Sequence, residues 1–135
     1  PTKLAHIFDR ANPDAVVVNL GINDALSPGS ETTPGYSKYP EKIDYLMRSM
    51  GGRPVLWTNL PCNLEPEAWR QGCAAINRAL ASASSRWPNL TVLDWSSRAK
   101  DHPEYMNAGD VHLTSTGHAA WANFVVQALD ARFVL

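Results

Sequence analysis

The sequence predicts an α/β fold in which a parallel sheet is sandwiched between helices, an αβα arrangement in three layers. Three observations carry that prediction. Short apolar runs alternate with helical stripes in the order αβαβαβα, mostly through short connections. The first run, Ala15 to Leu20, is the continuous β-branched kind that is buried on both faces of a parallel sheet. Finally, 135 residues without an internal repeat, low-complexity segment or composition break suit one domain with its own core.

Residues 2–12 place Leu4, Ile7, Phe8 and Ala11 on one helical stripe, which Asn12-Pro13 ends. The strand at 15–20 follows and breaks at Gly21. Residues 25–39 carry Ser, Pro, Gly and Thr without a period and predict a long loop. Pro40 suits a first helical turn, Ile43, Leu46, Met47 and Met50 form the stripe, and Gly51-Gly52 closes it. Pro54 to Leu60 reads as the second strand, and 61–66 as a loop. Trp69, Cys73, Ile76, Leu80, Ala83 and Trp87 mark a long helix stopped by Pro88, their aromatics read as core. Leu90 to Trp95 is a third strand and 96–113 a second long loop. Thr114 or Ser115 can cap the last helix, whose stripe is Trp121, Phe124, Val125, Ala128 and Leu129.

Composition narrows the partners. With 44% hydrophobic and 19% charged residues the chain is globular. A net charge of -1 without a basic run speaks against nucleic acid. No apolar stretch approaches the roughly 20 residues that span a bilayer. Nothing at the start resembles a signal peptide. The apolar pattern is already under way by Leu4, so a cut N-terminal end is expected. Cys62 and Cys73 fit either two buried thiols or a disulfide pinning the loop after the second strand to the next helix. The disulfide is the expectation adopted, and with it an oxidising compartment. Their spacing suits no common zinc pattern, and no clustered carboxylate or second His supports a metal elsewhere.

Two groups of polar residues should meet at the carboxyl edge of the sheet, where open α/β sheets bind ligands. One is Gly21, Asn23 and Asp24 and the other is Asp110 and His112. A His beside an acid can serve as an oriented general base, and an Asn amide can donate to an oxyanion. His118, in the last helix's first turn, His102, before Pro103, and His6, in the first helix, call for no special role.

In this order the groups resemble the SGNH (GDSL-type) hydrolases. Gly21-Ile22-Asn23-Asp24 looks like the family's Gly-x-Asn-Asp block after a buried strand. Asp110-Val111-His112-Leu113-Thr114-Ser115-Thr116-Gly117 looks like its last block, which leads into the C-terminal helix. The resemblance covers essentially the whole chain and implies a flavodoxin-like sandwich with the N-terminal strands missing, so that residues 1–135 form one partial domain. It implies that His112 is the general base, that Asp110 is its orienting acid, and that Asn23 is a side-chain oxyanion donor. Gly21 and Asp24 would line the substrate site. No cofactor is implied.

Two departures accompany the resemblance. The family's acid usually stands three residues before the His, where this chain has Gly109. The family's Gly-Asp-Ser nucleophile block and its second-block glycine have no counterpart, and Ser27, Ser30 and Ser37 lack a nucleophile-elbow pattern. The expected function is that of a serine esterase or acyl hydrolase acting on a small-molecule, lipid or sugar ester. Its serine would come from an N-terminal segment or companion chain that also completes the sheet, and this chain alone would be inactive. Two alternatives stand beside it: the SGNH domain of an O-acyltransferase, and a non-catalytic module that binds a ligand or protein. A secreted or cell-envelope location fits the disulfide.

Overall fold

The computed structural model describes residues 3–27, 35–62 and 66–133. Three parallel strands form the sheet in the order β1-β2-β3: β1 is Val16–Val18, β2 is Val55–Thr58 and β3 is Leu90–Leu93. Register pairs Val17 with Leu56 and Leu56 with Thr91. The alternation of helices with parallel strands follows the sequence expectation. β2 is central and wholly buried, which is why Val-Leu-Trp-Thr reads without a polar face.

The pleat sends alternate side chains to two helical layers. On one face Val16, Val18, Val55, Trp57 and Leu90 pack with Ile43 and Met47 of α3 (Tyr39–Ser49) and Ile76, Leu80 and Ala83 of α4 (Glu67–Arg86). On the other, Leu56 and Leu93 meet Trp121, Phe124, Val125 and Leu129 of α6 (Ser115–Phe133). The α1 helix (Lys3–Ala11) leans on the first layer through Phe8. The first edge of the sheet is uncovered: Val17 is 36% and Leu20 54% exposed, and β1 pairs only with β2 among the described residues.

Both predicted long loops contain short helices. One part of 25–39 forms a 3-10 turn at Gly35–Lys38, and α2 (Ile22–Leu26) takes in Asn23 and Asp24 together with the first residues of that predicted loop. The remainder of that predicted loop, residues 28–34, lies outside the described residues. Likewise 96–113 holds α5 (Trp95–Ala99) and a 3-10 turn at Pro103–Tyr105. Five-residue helices are too short to display a 3.6-residue stripe, so their signal is in their caps. Asp94, for instance, accepts a bond from the Ser97 N–H at α5.

Cys62 and Cys73 form a disulfide with a Cα–Cα distance of 5.5 Å, linking the segment after β2 to α4. Asn77, one turn further along α4, holds both backbone groups of Leu60, accepting from its N–H at 2.9 Å and donating to its carbonyl at 2.8 Å. The end of β2 is thus fixed by two independent ties. Closing an 11-residue separation should be worth roughly 2–3 kcal/mol through the unfolded chain. Reduction, or Cys62→Ser with Cys73→Ser, is expected to lower the melting temperature by several degrees. An unchanged melt in dithiothreitol would contradict this.

Candidate active site

The carboxyl ends of the strands carry the site. Asn19 and Leu20 follow β1, Leu60 and Pro61 follow β2, and the segment from Met106 to Leu113 folds back over both. These residues, with Ile22, Trp95 and Val111, line an apolar hollow of about 100 Å³. The two motif-bearing loops therefore share one wall-to-wall cavity.

The His loop is a tight, hydrogen-bonded hairpin. Met106 and Leu113 form an antiparallel bridge, and the Asn107 N–H donates to the His112 carbonyl at 3.0 Å. A turn closes where the Asp110 N–H donates to the Asn107 carbonyl at 3.1 Å, with Gly109 at φ 70°. That backbone conformation favours glycine, and it accounts for a glycine where the family usually has its acid. The acid stands one residue later, after the turn, and still reaches the ring: Asp110 Oδ1 lies 2.7 Å from His112 Nδ1. The bonded His112 ring, and then the Val111 N–H, hold the Asp110 carboxyl below its ordinary range. Both side chains are open to solvent, His112 at 75% and Asp110 at 47% exposure. Downstream, Thr114 caps α6 by accepting from the Gly117 N–H at 3.1 Å, and its own hydroxyl donates to the Glu104 carbonyl. Gly117 lies so close to the Tyr105 carbonyl that a β-carbon there would collide with it.

The Asn loop is anchored from below. The Leu20 carbonyl accepts from Tyr39 Oη at 2.8 Å and from Trp57 Nε1 at 3.3 Å. Gly21 follows at φ 128°, and a β-carbon on it would lie 2.6 Å from Tyr39 Oη. Its carbonyl then accepts the Ala25 N–H at 2.9 Å and so starts α2. Gly72 of α4 packs against the Ala25 carbonyl too closely for any larger residue. Asp24 is ion-paired with Lys42 of α3. Burial first, and then the Asp24 charge, push the Tyr39 hydroxyl above its ordinary range, so it remains a donor. Asn23 is exposed, and its side chain makes no hydrogen bond among the described residues.

The structure thus joins Asp110 to His112 and brings Ile22 and Val111, the neighbours of Asn23 and His112, to one hollow. It does not bring Asn23 into contact with the pair. Gly21, Asn23 and Asp24 line a second hollow of about 300 Å³ between the end of β1 and α3, with Tyr39, Lys42 and Trp57. His102 bonds Glu104 at 2.8 Å and stacks on Tyr105, which stacks on Trp95; His6 and His118 face solvent. Sequence reasoning missed Tyr39, Trp57 and Lys42, because their partners lie 18 to 37 residues away and leave no local pattern.

Residues 2–120 match the family model described as the GDSL-like Lipase/Acylhydrolase family. The chain belongs to that family. Its backbone also superposes on a lipase/acylhydrolase crystal structure from Enterococcus faecalis, with a TM-score of 0.74 at 21% identity, covering 91% of this chain and 64% of that one. This likeness establishes the SGNH, flavodoxin-like fold. Among curated proteins, it is 29% identical over 120 residues to "Putative O-acetyltransferase SAS0844" of Staphylococcus aureus (strain MSSA476), covering 89% of this chain and 17% of that protein. It is 34% identical over 65 residues to the peptidoglycan O-acetyltransferase OatA of Listeria monocytogenes, covering 48% of this chain and 10% of that protein. The chain therefore spans less than a fifth of the length of these curated relatives.

Asp110→Asn is expected to damage turnover by the complete protein less than His112→Ala does. If His112 is the general base, an exposed, one-sided carboxylate would only orient the ring, whereas the ring would carry the proton. If Asp110 proves the more sensitive position, that ranking of roles is wrong.

Proposed function

We propose that this chain is the base-and-oxyanion portion of an SGNH-type serine esterase or acyl hydrolase acting on carboxylic O-acyl esters. The observation that carries the reading is the Asp110–His112 pair at 2.7 Å, with Asn23 exposed after β1 and its side chain free of hydrogen bonds among the described residues. The nucleophilic serine belongs to a segment outside these 135 residues, which also supplies a strand beside β1.

The chemistry then runs in two balanced steps. His112 Nε2 takes the serine proton as the serine oxygen bonds to the acyl carbon. Asp110 accepts the Nδ1–H, fixing that tautomer and favouring the imidazolium that forms. The carbonyl oxygen, now an oxyanion, accepts a bond from the Asn23 amide. Collapse breaks the ester C–O bond, and His112 returns the proton to the leaving alcohol. Water, deprotonated by His112, then attacks the acyl-serine, and as the acyl–serine C–O bond breaks His112 returns that proton to the serine oxygen, leaving the free acid and the regenerated serine.

The transfer reading differs only in the acceptor, a sugar hydroxyl in place of water, and the names of the S. aureus and L. monocytogenes relatives favour it. The same names, with the disulfide, support a secreted or cell-envelope site. Among the described residues no helix is long and apolar enough to cross a membrane. A binding-only module has no use for an oriented His–Asp pair.

The apolar hollow is the natural seat of the acyl group. A cavity of 150 Å³ lined by aliphatic residues holds a benzene molecule, so about 100 Å³ suits acyl groups of two to four carbons. The complete protein is expected to hydrolyse p-nitrophenyl acetate or butyrate at least about tenfold faster, in kcat/KM, than the decanoate. Adding a soluble glycan acceptor separates the two readings by whether acylated glycan or free acid accumulates. A preference for the decanoate would remove the hollow from the site, and inactivity toward all these esters would overturn the enzymatic reading.

A further inference from the structure

Asn23 is bracketed by two ties that both begin on the first turn of α3. Tyr39 holds the Leu20 carbonyl at 2.8 Å, three residues before Asn23. Lys42, three residues further along α3, holds Asp24, the residue directly after it. A third tie reaches the same Leu20 carbonyl from the central strand, through Trp57 Nε1 at 3.3 Å. The two aromatic donors are themselves packed edge to face, with ring centroids 6.4 Å apart, and both are buried: Tyr39 is 3% exposed and Trp57 0%. Gly21, between the clamped carbonyl and α2, closes against Tyr39 Oη. The exposed amide thus stands on a backbone whose entry is gripped by buried groups, while its own side chain makes no hydrogen bond among the described residues.

Satisfying one carbonyl with two buried side-chain donors exceeds what a turn needs, since α2 begins only after it. An oxyanion donor must be placed to within a fraction of an ångström of where charge develops, and flexibility in its backbone weakens it in proportion. We infer that Tyr39 and Trp57 are positioning residues for the Asn23 amide, acting through the Leu20 carbonyl, with Lys42 steadying the far side through Asp24. This inference rests on the proposed role of Asn23 as an oxyanion donor.

A double-mutant cycle in the complete protein, read with p-nitrophenyl acetate, tests it. Tyr39→Phe keeps the ring and removes only the donor. It is expected to lower kcat about tenfold with KM within about twofold, because a misplaced donor fails the transition state more than the ground state. In an Asn23→Ala background the same substitution should cost nothing further, since there is no amide left to position. Kinetics are read below the melting temperature of each variant, so that a modest loss of stability does not enter. Lys42→Met, at an exposed position outside the core, should show the same dependence on Asn23 with a smaller loss. If Tyr39→Phe costs as much in the Asn23→Ala background as alone, its role is structural and the inference is overturned. If Asn23→Ala slows turnover but Tyr39→Phe does not, the clamp alone is overturned. If Asn23→Ala leaves kcat unchanged, the oxyanion role falls, and the inference with it.

Discussion

Replacing His112 by alanine is expected to abolish ester turnover by the complete protein while leaving its fold intact. The fold is spared because the imidazole is 75% exposed and, among the described residues, bonds only Asp110. The loop that carries it is held by backbone groups: the Asn107 N–H on the His112 carbonyl, and the Thr114 N–H on the Tyr105 carbonyl at 2.9 Å. Alanine keeps all of those. On the proposed mechanism the reaction is not spared, since the ring both takes the serine proton and returns it to the leaving alcohol. Asp110 is held in its ionised form and faces Nδ1, on the far side of the ring from the reaction. Loss of a triad base costs at least about 10³-fold in kcat. The comparison needs p-nitrophenyl acetate turnover and a near-UV spectrum of each protein. Equal turnover would remove His112 from the chemistry, and a lost spectrum would show that the loop depends on the ring.

The second large effect concerns the open edge. Residues 1–135 expressed alone are not expected to give a well-behaved monomer. Among the described residues the β1 strand has no partner on one side, and Val17 and Leu20 beside it are 36% and 54% exposed. Across the same face α6 leaves Val126 at 52% exposure, although its opposite side is filled by Leu56 and Leu93. A parallel strand is normally covered on both faces, and an apolar edge pairs with whatever strand is available. Sizing chromatography of the isolated chain should therefore show association that a completing strand-and-helix segment abolishes. A monomer with a cooperative melt and a native-like near-UV spectrum would contradict the expectation. It would also favour the binding-module reading over the enzymatic one.

Much of this was legible in the sequence because burial writes itself as periodicity. Val16 to Val18 and Val55 to Thr58 are uninterrupted apolar runs because both of their faces are covered or coverable. Ile43, Met47 and Met50, like Ile76, Leu80 and Ala83, keep a helical stripe because one side of each helix meets the sheet. The candidate site is read from short motifs whose residues lie close in the chain, Gly21 to Asp24 and Asp110 to His112, and of these the structure joins Asp110 to His112. Its support was not. Tyr39 and Trp57 converge on one carbonyl only after α3 and β2 have packed, and neither spacing nor composition encodes that meeting. Asn77 gripping Leu60 from α4 is the same kind of event. The shifted acid is an intermediate case. Gly109 is a visible turn signal, but only the folded hairpin shows that the turn carries the next residue back to the ring.

If this chain supplies the base and one oxyanion donor to a serine that lies outside it, covalent labelling of the complete protein with a fluorophosphonate, followed by peptide mapping of the adduct, will give one labelled serine outside residues 1–135. Labelling is expected to be lost in His112→Ala and slowed in Asn23→Ala. A phosphonylated Ser27, Ser30 or Ser37, or an active protein that takes no label, would contradict it.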